Sequence, residues 1–270
     1  MTRHVLPFRG HQLCVGIDPH PAILKAWGHH DTPAGLESFA QEIVNLVGES
    51  QTRFVKPQVS FFERHGVKGM GILHTLIAEL RSAGVFVIGD AKRGDIGSTM
   101  EGYATAWLSP GADFEVDALT VVPYQGLGAL APVLDLAADE GKAVFVLAAT
   151  SNPEAFTIQH AMRADGLSVA AGVIGDLAQW VSQHPGTEGS HGVVLGATLT
   201  FNDWDFDLSS APSMPVLAPG FGYQGAALRD CRTLFAASRP VLAVVARSVL
   251  QGGPDLFLSK VASAQGELGA

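Results

Sequence analysis

The chain of 270 residues is 47% hydrophobic and 16% charged, with a net charge of −9 at pH 7 and a pI near 5.5. Its 17 Lys and Arg are scattered, which excludes the basic stripe of a nucleic-acid binder, although an acidic protein still holds a small anion where a few cations converge. Two cysteines give no disulfide framework and fit a reducing cytoplasm; the opening MTRHVLPF has no apolar signal region, and the longest apolar run, AVFVLAA at 143–149, is too short to span a membrane.

From the N-terminus onward, short β-type runs alternate with helix-like stretches. LCVGID (13–18) ends on Asp18, and LESFAQEIVNLV (36–47) follows with apolar residues at three- and four-residue spacing. RFVKPQ (53–58) carries Lys56, GILHTLIAEL (71–80) is helical in pattern, and VFVIGDAK (85–92) runs into Asp90 and Lys92. DALTVV (117–122), AVFVLAAT (143–150), GVVLGAT (192–198), PVLAPG (215–220) and PVLAVVAR (240–247) complete eight runs, with AALRDCRTLFAA (226–237) as a further amphipathic helix. The runs are nearly continuous in hydrophobicity, as strands buried on both faces of a parallel sheet are. Eight strand–helix units predict an α/β protein built as a single (β/α)8 TIM barrel, one domain over 1–270 with its barrel core at about 13–250. The long gap from 152 to 191, with helical pattern over 167–181, reads as an extended crossover.

In such barrels the active site lies at the C-terminal ends of the strands. The polar residues there are Asp18, Lys56, Asp90, Lys92, Ser151, Thr198 and Arg247. Strand alternation points Asp90 and Lys92 to the same side. Alone, that pair reads as a solvated ion pair worth at most about 1 kcal/mol. With Asp18 and Lys56 beside it, it reads as an array that fixes each charge state and keeps an ammonium ready to donate a proton.

GFGYQG (220–225) fits G-x-G-x-x-G, the dinucleotide fingerprint. It comes in the seventh unit rather than the first, and the next strand ends in Arg247 rather than an acid. A phosphate site in the loops after strands seven and eight accommodates both facts. There Gly220 and Gly222 would permit close backbone approach, Gln224 would donate a hydrogen bond and Arg247 would clamp the oxygens. A plain glycine-rich turn is the alternative. Ser151, in TSNP, lacks a nucleophile elbow and reads as a hydrogen-bond donor to a ligand. The ten histidines show no H-x-x-x-H spacing, so no metal site is expected.

Asp18 in VGIDPHP, Lys56 in VKPQ, DAKRGDIGST, the serine of TSNP, APGFGYQG and the arginine of VARS follow one another as in the orotidine 5'-phosphate decarboxylase family, which the chain resembles over about residues 13–250. Many members carry DIPNT where this chain has Asp95-Ile96-Gly97-Ser98-Thr99; with KPQ and TSNP, this looks like the longer-chain bacterial subgroup. The resemblance implies decarboxylation of orotidine 5'-monophosphate to UMP and CO2, the last step of de novo pyrimidine nucleotide synthesis, without cofactor or metal. It implies Lys92 as proton donor to C6, Asp90 beside the substrate carboxylate, Lys56 linking Asp90 to the ribose hydroxyls and Asp18 as another ribose partner. Asp95 and Thr99 would cross the interface of a homodimer into the neighbouring site. Ser151 would contact the pyrimidine and Gln224 and Arg247 the phosphate, with Pro219 and Gly222 among the substrate-binding positions.

Two other readings stay open. One is a metal-dependent phosphosugar barrel, a hexulose-phosphate synthase or keto-acid decarboxylase, which needs an acidic pair at the strand-two end where KPQ stands. The other is a non-catalytic pyrimidine-nucleotide-binding barrel, whose Asp–Lys–Asp array would be broken; here Asp90, Lys92 and Asp95 are all present.

Overall fold

Alternation along the strands sorts the apolar side chains into two cores. In the computed structural model, which describes residues 8–200, 203–205, 208–235 and 239–269, the strands are β1 (His11–Ile17), β2 (Phe54–Pro57), β3 (Phe86–Arg93), β4 (Ala118–Val121), β5 (Ala143–Ala149), β6 (Gly192–Leu195), β7 (Val216–Pro219) and β8 (Val241–Val245). They close into a barrel in chain order, with every neighbouring pair parallel. This is the expected (β/α)8 barrel. Between and after the strands run α1 (Pro21–Ala26), α2 (Pro33–Glu49), α3 (Ser60–Glu63), α4 (Gly66–Ser82), α5 (Gly97–Leu108), α6 (Ala131–Asp139), α7 (Ala155–Gln159), α8 (Val169–Gln183), α9 (Cys231–Phe235), α10 (Arg247–Leu250) and α11 (Pro254–Gly269).

Residues of one parity, among them Cys14, Phe54, Ile88, Ala118, Phe145 and Leu242, form the core inside the barrel. Their neighbours Val15, Val55, Val87, Leu119, Val144 and Val241 belong to the larger core between strands and helices. Phe8 seals the lower end, with its ring 5.3 Å from Phe86, 5.6 Å from Phe145 and 6.0 Å from Phe54. Each aromatic ring buried there contributes about 1.5–3 kcal/mol. Two residues further along the inward rows of β1 to β4 stand Gly16, Lys56, Asp90 and Thr120. The same alternation that builds an apolar floor therefore carries polar groups into the upper layer.

The helices begin where their sequence caps allow. Thr32, in extended conformation, accepts from the Gly35 N–H at 3.1 Å and Pro33 opens α2; Ser168 does the same for Ala171 at 3.1 Å and starts α8. The 152–191 crossover holds α7, a bridge between Met162 and Ser168, and α8. The helix expected over 226–237 is shorter. Ala226 is drawn into a bridge with Phe221, so a 3-10 turn at Leu228–Asp230 precedes α9, and residues 236 and 237 lie outside the described residues. Leu228, Cys231 and Phe235 are still buried, because the tighter turn preserves their common side. Cys14 and Cys231 are free and buried. No helix among the described residues is long and apolar enough to cross a membrane.

One buried histidine makes the fold acid-sensitive. His191 is fully buried; its Nδ1 accepts from the Val144 N–H at 3.2 Å, and its ring meets Trp180 edge-on at 5.1 Å. Burial, aided by His184, holds its pKa down at about 4 against an ordinary 6.5. The unfolded chain thus takes up the proton first, and stability is lost as pH falls from about 6.5 towards 4. At about 1.4 kcal/mol per pH unit this amounts to about 3 kcal/mol. Urea unfolding of the protein and of His191→Asn at pH 7 and pH 4 should show that extra acid loss only in the unsubstituted chain; equal losses would place the sensitivity elsewhere.

Candidate active site

The upper layer of the barrel centres on one carboxylate. Asp90, on β3, is 6% exposed. Its Oδ2 accepts from Lys56 Nζ at 2.5 Å and Gln58 Nε2 at 3.0 Å. Its Oδ1 accepts from Lys92 Nζ at 2.5 Å and the Thr120 hydroxyl at 2.9 Å. Four donors match the roughly four lone-pair positions of a carboxylate. Burial alone would push this carboxyl up, but the Lys56 and Lys92 ammoniums outweigh it and hold Asp90 well below the ordinary carboxylate range. Lys56 shows the converse. Burial would lower its pKa, and Asp90 and Asp18 raise it above the ordinary lysine value. Asp18, just past β1, is pushed up by burial despite Lys56, and its Oδ1 is buried without a hydrogen-bond partner. Such an orphaned oxygen at a barrel mouth is open to a donor from a ligand or from water.

Lys92 meets Asp90 on the side that alternation predicts, but from an irregular stretch of strand. The β3–β4 register shifts between Gly89 and Arg93, and Lys92 has a φ of +48°. A left-handed lysine costs about 1–3 kcal/mol and persists only where its surroundings impose it. Its N–H donates to Thr120 Oγ1 at 3.0 Å. Its side chain stays 41% exposed, against 7% for Lys56 and Asp90, so one ammonium is structural in setting and the other is presented to the mouth.

Beside the array, Asp18, Lys56, Pro219, Tyr223, Gln224 and Arg247 line one pocket. Residues from β1, β2 and the loops after β7 and β8 thus converge as the strand-end argument expected. The Arg247 guanidinium lies 3.9 Å over the Tyr223 ring, a stacked arrangement that fixes the plane of its donors. Gly220 has a φ of +120° and Gly222 of +75°. A Cβ on Gly222 would meet Ser248 Oγ at 2.6 Å, so this glycine lies against α10 and lines the adjoining groove. Asp95, Thr99 and Ser151 stand outside the pocket: Asp95 Oδ1 caps the Ile96 N–H at 2.8 Å, and Thr99 and Ser151 are exposed. Thr198 is also exposed. Among the described residues, no three His, Cys, Asp or Glu side chains gather into a metal-binding group.

Gln58, Thr120 and Tyr223 were absent from the sequence-derived set. Gln58 follows Lys56, and Thr120 follows Ala118, at the strand period of two, but the closed sheet is what shows these rows to face inward.

The family model for the orotidine 5'-phosphate decarboxylase / HUMPS family matches residues 11–256. An orotidine 5'-phosphate decarboxylase of Salinispora tropica is 48% identical over 245 residues, covering 90% of this chain and 86% of that protein. That of Streptomyces coelicolor is 46% identical over 265 residues, covering 97% and 92%. A crystal structure from Streptomyces avermitilis, assigned the same enzyme name, superimposes with a TM-score of 0.88 at 44% identity, covering 96% of this chain and 90% of that one.

The array sets a stability test. The benefit from Asp90, whose pKa is lowered, is present above its ordinary value and lost as pH falls through the folded one; that from Lys56, whose pKa is raised, is present below its ordinary value and lost as pH rises through the folded one. Lys56→Met removes one ammonium, but Lys92, Gln58 and Thr120 still hold the carboxylate. The loss should therefore be about 1.5–3 kcal/mol, the range for a charged hydrogen bond, and stay below the about 3–5 kcal/mol of a stranded charge. Urea midpoints at pH 7 should show that gap, and a loss as large as that of a stranded charge would mean that Lys92, Gln58 and Thr120 do not hold the carboxylate without Lys56.

Proposed function

The chain belongs to the orotidine 5'-phosphate decarboxylase / HUMPS family, and we infer that it decarboxylates its nucleotide at the Asp90 array with Lys92 as the proton donor. The enzyme is a carboxy-lyase that converts orotidine 5'-monophosphate to UMP and CO2 in pyrimidine nucleotide synthesis. The bond from C6 to the carboxylate breaks, CO2 departs, and the electron pair stays on C6. Lys92 transfers a proton from its ammonium to that carbon and is then recharged from water. The observation that carries this reading is the pairing of an exposed ammonium with a buried, ionised carboxylate at 2.5 Å, next to a pocket lined by Arg247 and Gln224.

Asp90 orients Lys92 and stands beside the substrate carboxylate. Lys56 and Asp18 take the ribose hydroxyls, a role favoured by the unpartnered Asp18 oxygen. Gln224 and Arg247 hold the phosphate, with Pro219 and Gly222 supporting the same loop, and Ser151 reaches the pyrimidine once substrate is bound. Phosphate contacts remote from C6 still lower the barrier when their binding energy is used to close the site. A metal-dependent phosphosugar reaction is less well supported, because the β2 end reads Val55-Lys56-Pro57-Gln58 and offers no acidic pair.

The working unit we propose is a homodimer of one-domain subunits in a reducing cytoplasm, a setting that two free, buried cysteines suit. Asp95 and Thr99 complete the neighbouring site. Their position outside the pocket of their own chain supports this, since a two-fold interface pairs the same patch of both subunits and so lets such a segment reach its mate's site.

Lys92→Ala should abolish turnover while UMP still binds through ribose and phosphate, measured by calorimetry and a UV assay run in EDTA. Near-normal turnover would sink the proton-donor role. For Asp95, inactive Lys92→Ala and Asp95→Ala proteins should be denatured together and refolded. Random pairing makes half the dimers mixed, each with one intact site, so about a quarter of full activity should return. No recovery in heterodimers confirmed by mass spectrometry would assign Asp95 to its own chain.

A further inference from the structure

Thr120 is 1% exposed on β4 and belongs to no ligand-lining set described above, yet its hydroxyl touches both halves of the reacting pair. Oγ1 accepts from the Lys92 main-chain N–H at 3.0 Å and lies 2.9 Å from Asp90 Oδ1. A hydroxyl has one proton to donate. The competing acceptor, Gly89 O, is 3.5 Å away, so the proton goes to the charged and nearer carboxylate. The same oxygen thus accepts from the backbone of one partner and donates to the side chain of the other.

This contact sits where the backbone is least able to hold itself. Between Gly89 and Arg93 the β3–β4 ladder loses its regular register, and within that gap Lys92 takes its φ of +48°. The missing ladder leaves the Lys92 N–H without a strand partner. Thr120, at the inward position of the adjacent strand, supplies the acceptor in its place.

We propose that Thr120 is a positioning residue for the decarboxylation, its hydroxyl locking Lys92 into the left-handed turn that aims the ammonium at C6. The proposal rests on Lys92 being the proton donor. Asp90 keeps two ammoniums and Gln58 without Thr120, so its charge survives and the expected damage is to geometry. Misplacing a reacting group by about 1 Å costs on the order of a hundredfold in rate.

Thr120→Val keeps the shape and removes the hydroxyl, Thr120→Ala removes it without added bulk, and Thr120→Ser restores it. Steady-state kinetics should show kcat reduced about ten- to a hundredfold in the Val and Ala proteins, with KM and the UMP dissociation constant within about threefold of the unsubstituted enzyme. The Ser protein should recover to within a few-fold. Wild-type kcat in both Val and Ala, with Lys92→Ala inactive, overturns the role of Thr120 and leaves the donor intact. A Ser protein as slow as Val overturns it too, since packing rather than the hydroxyl would then matter. Normal turnover by Lys92→Ala would instead remove the donor reading itself, a separate result.

Discussion

A single buried carboxylate has to remain ionised in a nearly dry place, and the upper half of the barrel is organised around that demand. A carboxylate taken out of water by itself would neutralise. Asp90 avoids this because Lys56 and Lys92 reach it from two strands and bond separate oxygens. With Asp18, the cluster sets two acids against two bases. That alternation lets four ionisable groups share a barrel mouth in an acidic protein. The exposed Lys92 is then the member free to act on a ligand, while Lys56 remains enclosed.

The arrangement also explains where the fold departs from regularity. The end of β3 departs from the ordinary pleat, and Lys92 reaches the carboxylate from within that irregular stretch. The register shift and the left-handed backbone at Lys92 are local costs, held by contacts from the neighbouring strand. Below, the aromatic floor of Phe8, Phe54, Phe86 and Phe145 and the double-sided strand burial provide the surplus against which such strain is tolerated.

Much of this was legible from residues alone. The eight strands announced themselves because each is buried on both faces and so reads as an unbroken apolar run. Asp18, Lys56, Asp90, Lys92 and Arg247 were conspicuous as charges ending such runs. Gln58 and Thr120 were not, since a neutral polar residue near a strand end looks the same whether it faces water or the barrel axis. Only closure of the sheet defines which parity is inward. The helix after GFGYQG came out shorter than its apolar spacing suggested, because Ala226 is held in a bridge to Phe221 that spacing cannot reveal. The roles proposed for Asp95 and Thr99 depend on the path of a turn and on a second subunit, neither of which a residue pattern encodes.

The seam of the barrel has a consequence for how the molecule is made. Strand β1 pairs with β8, residue 11 with residue 241, so the sheet cannot close until the last strand has emerged from the ribosome. Until then β1 and its most recently made partner present unpaired edges, and such long-range parallel pairing is slow to form. The charged cluster is complete by Lys92, whereas Arg247 follows β8 directly. On the roles proposed above, a nascent or truncated polypeptide carries the proton donor but no anchor for a phosphate. Closure of the sheet and arrival of Arg247 at the pocket thus become one event.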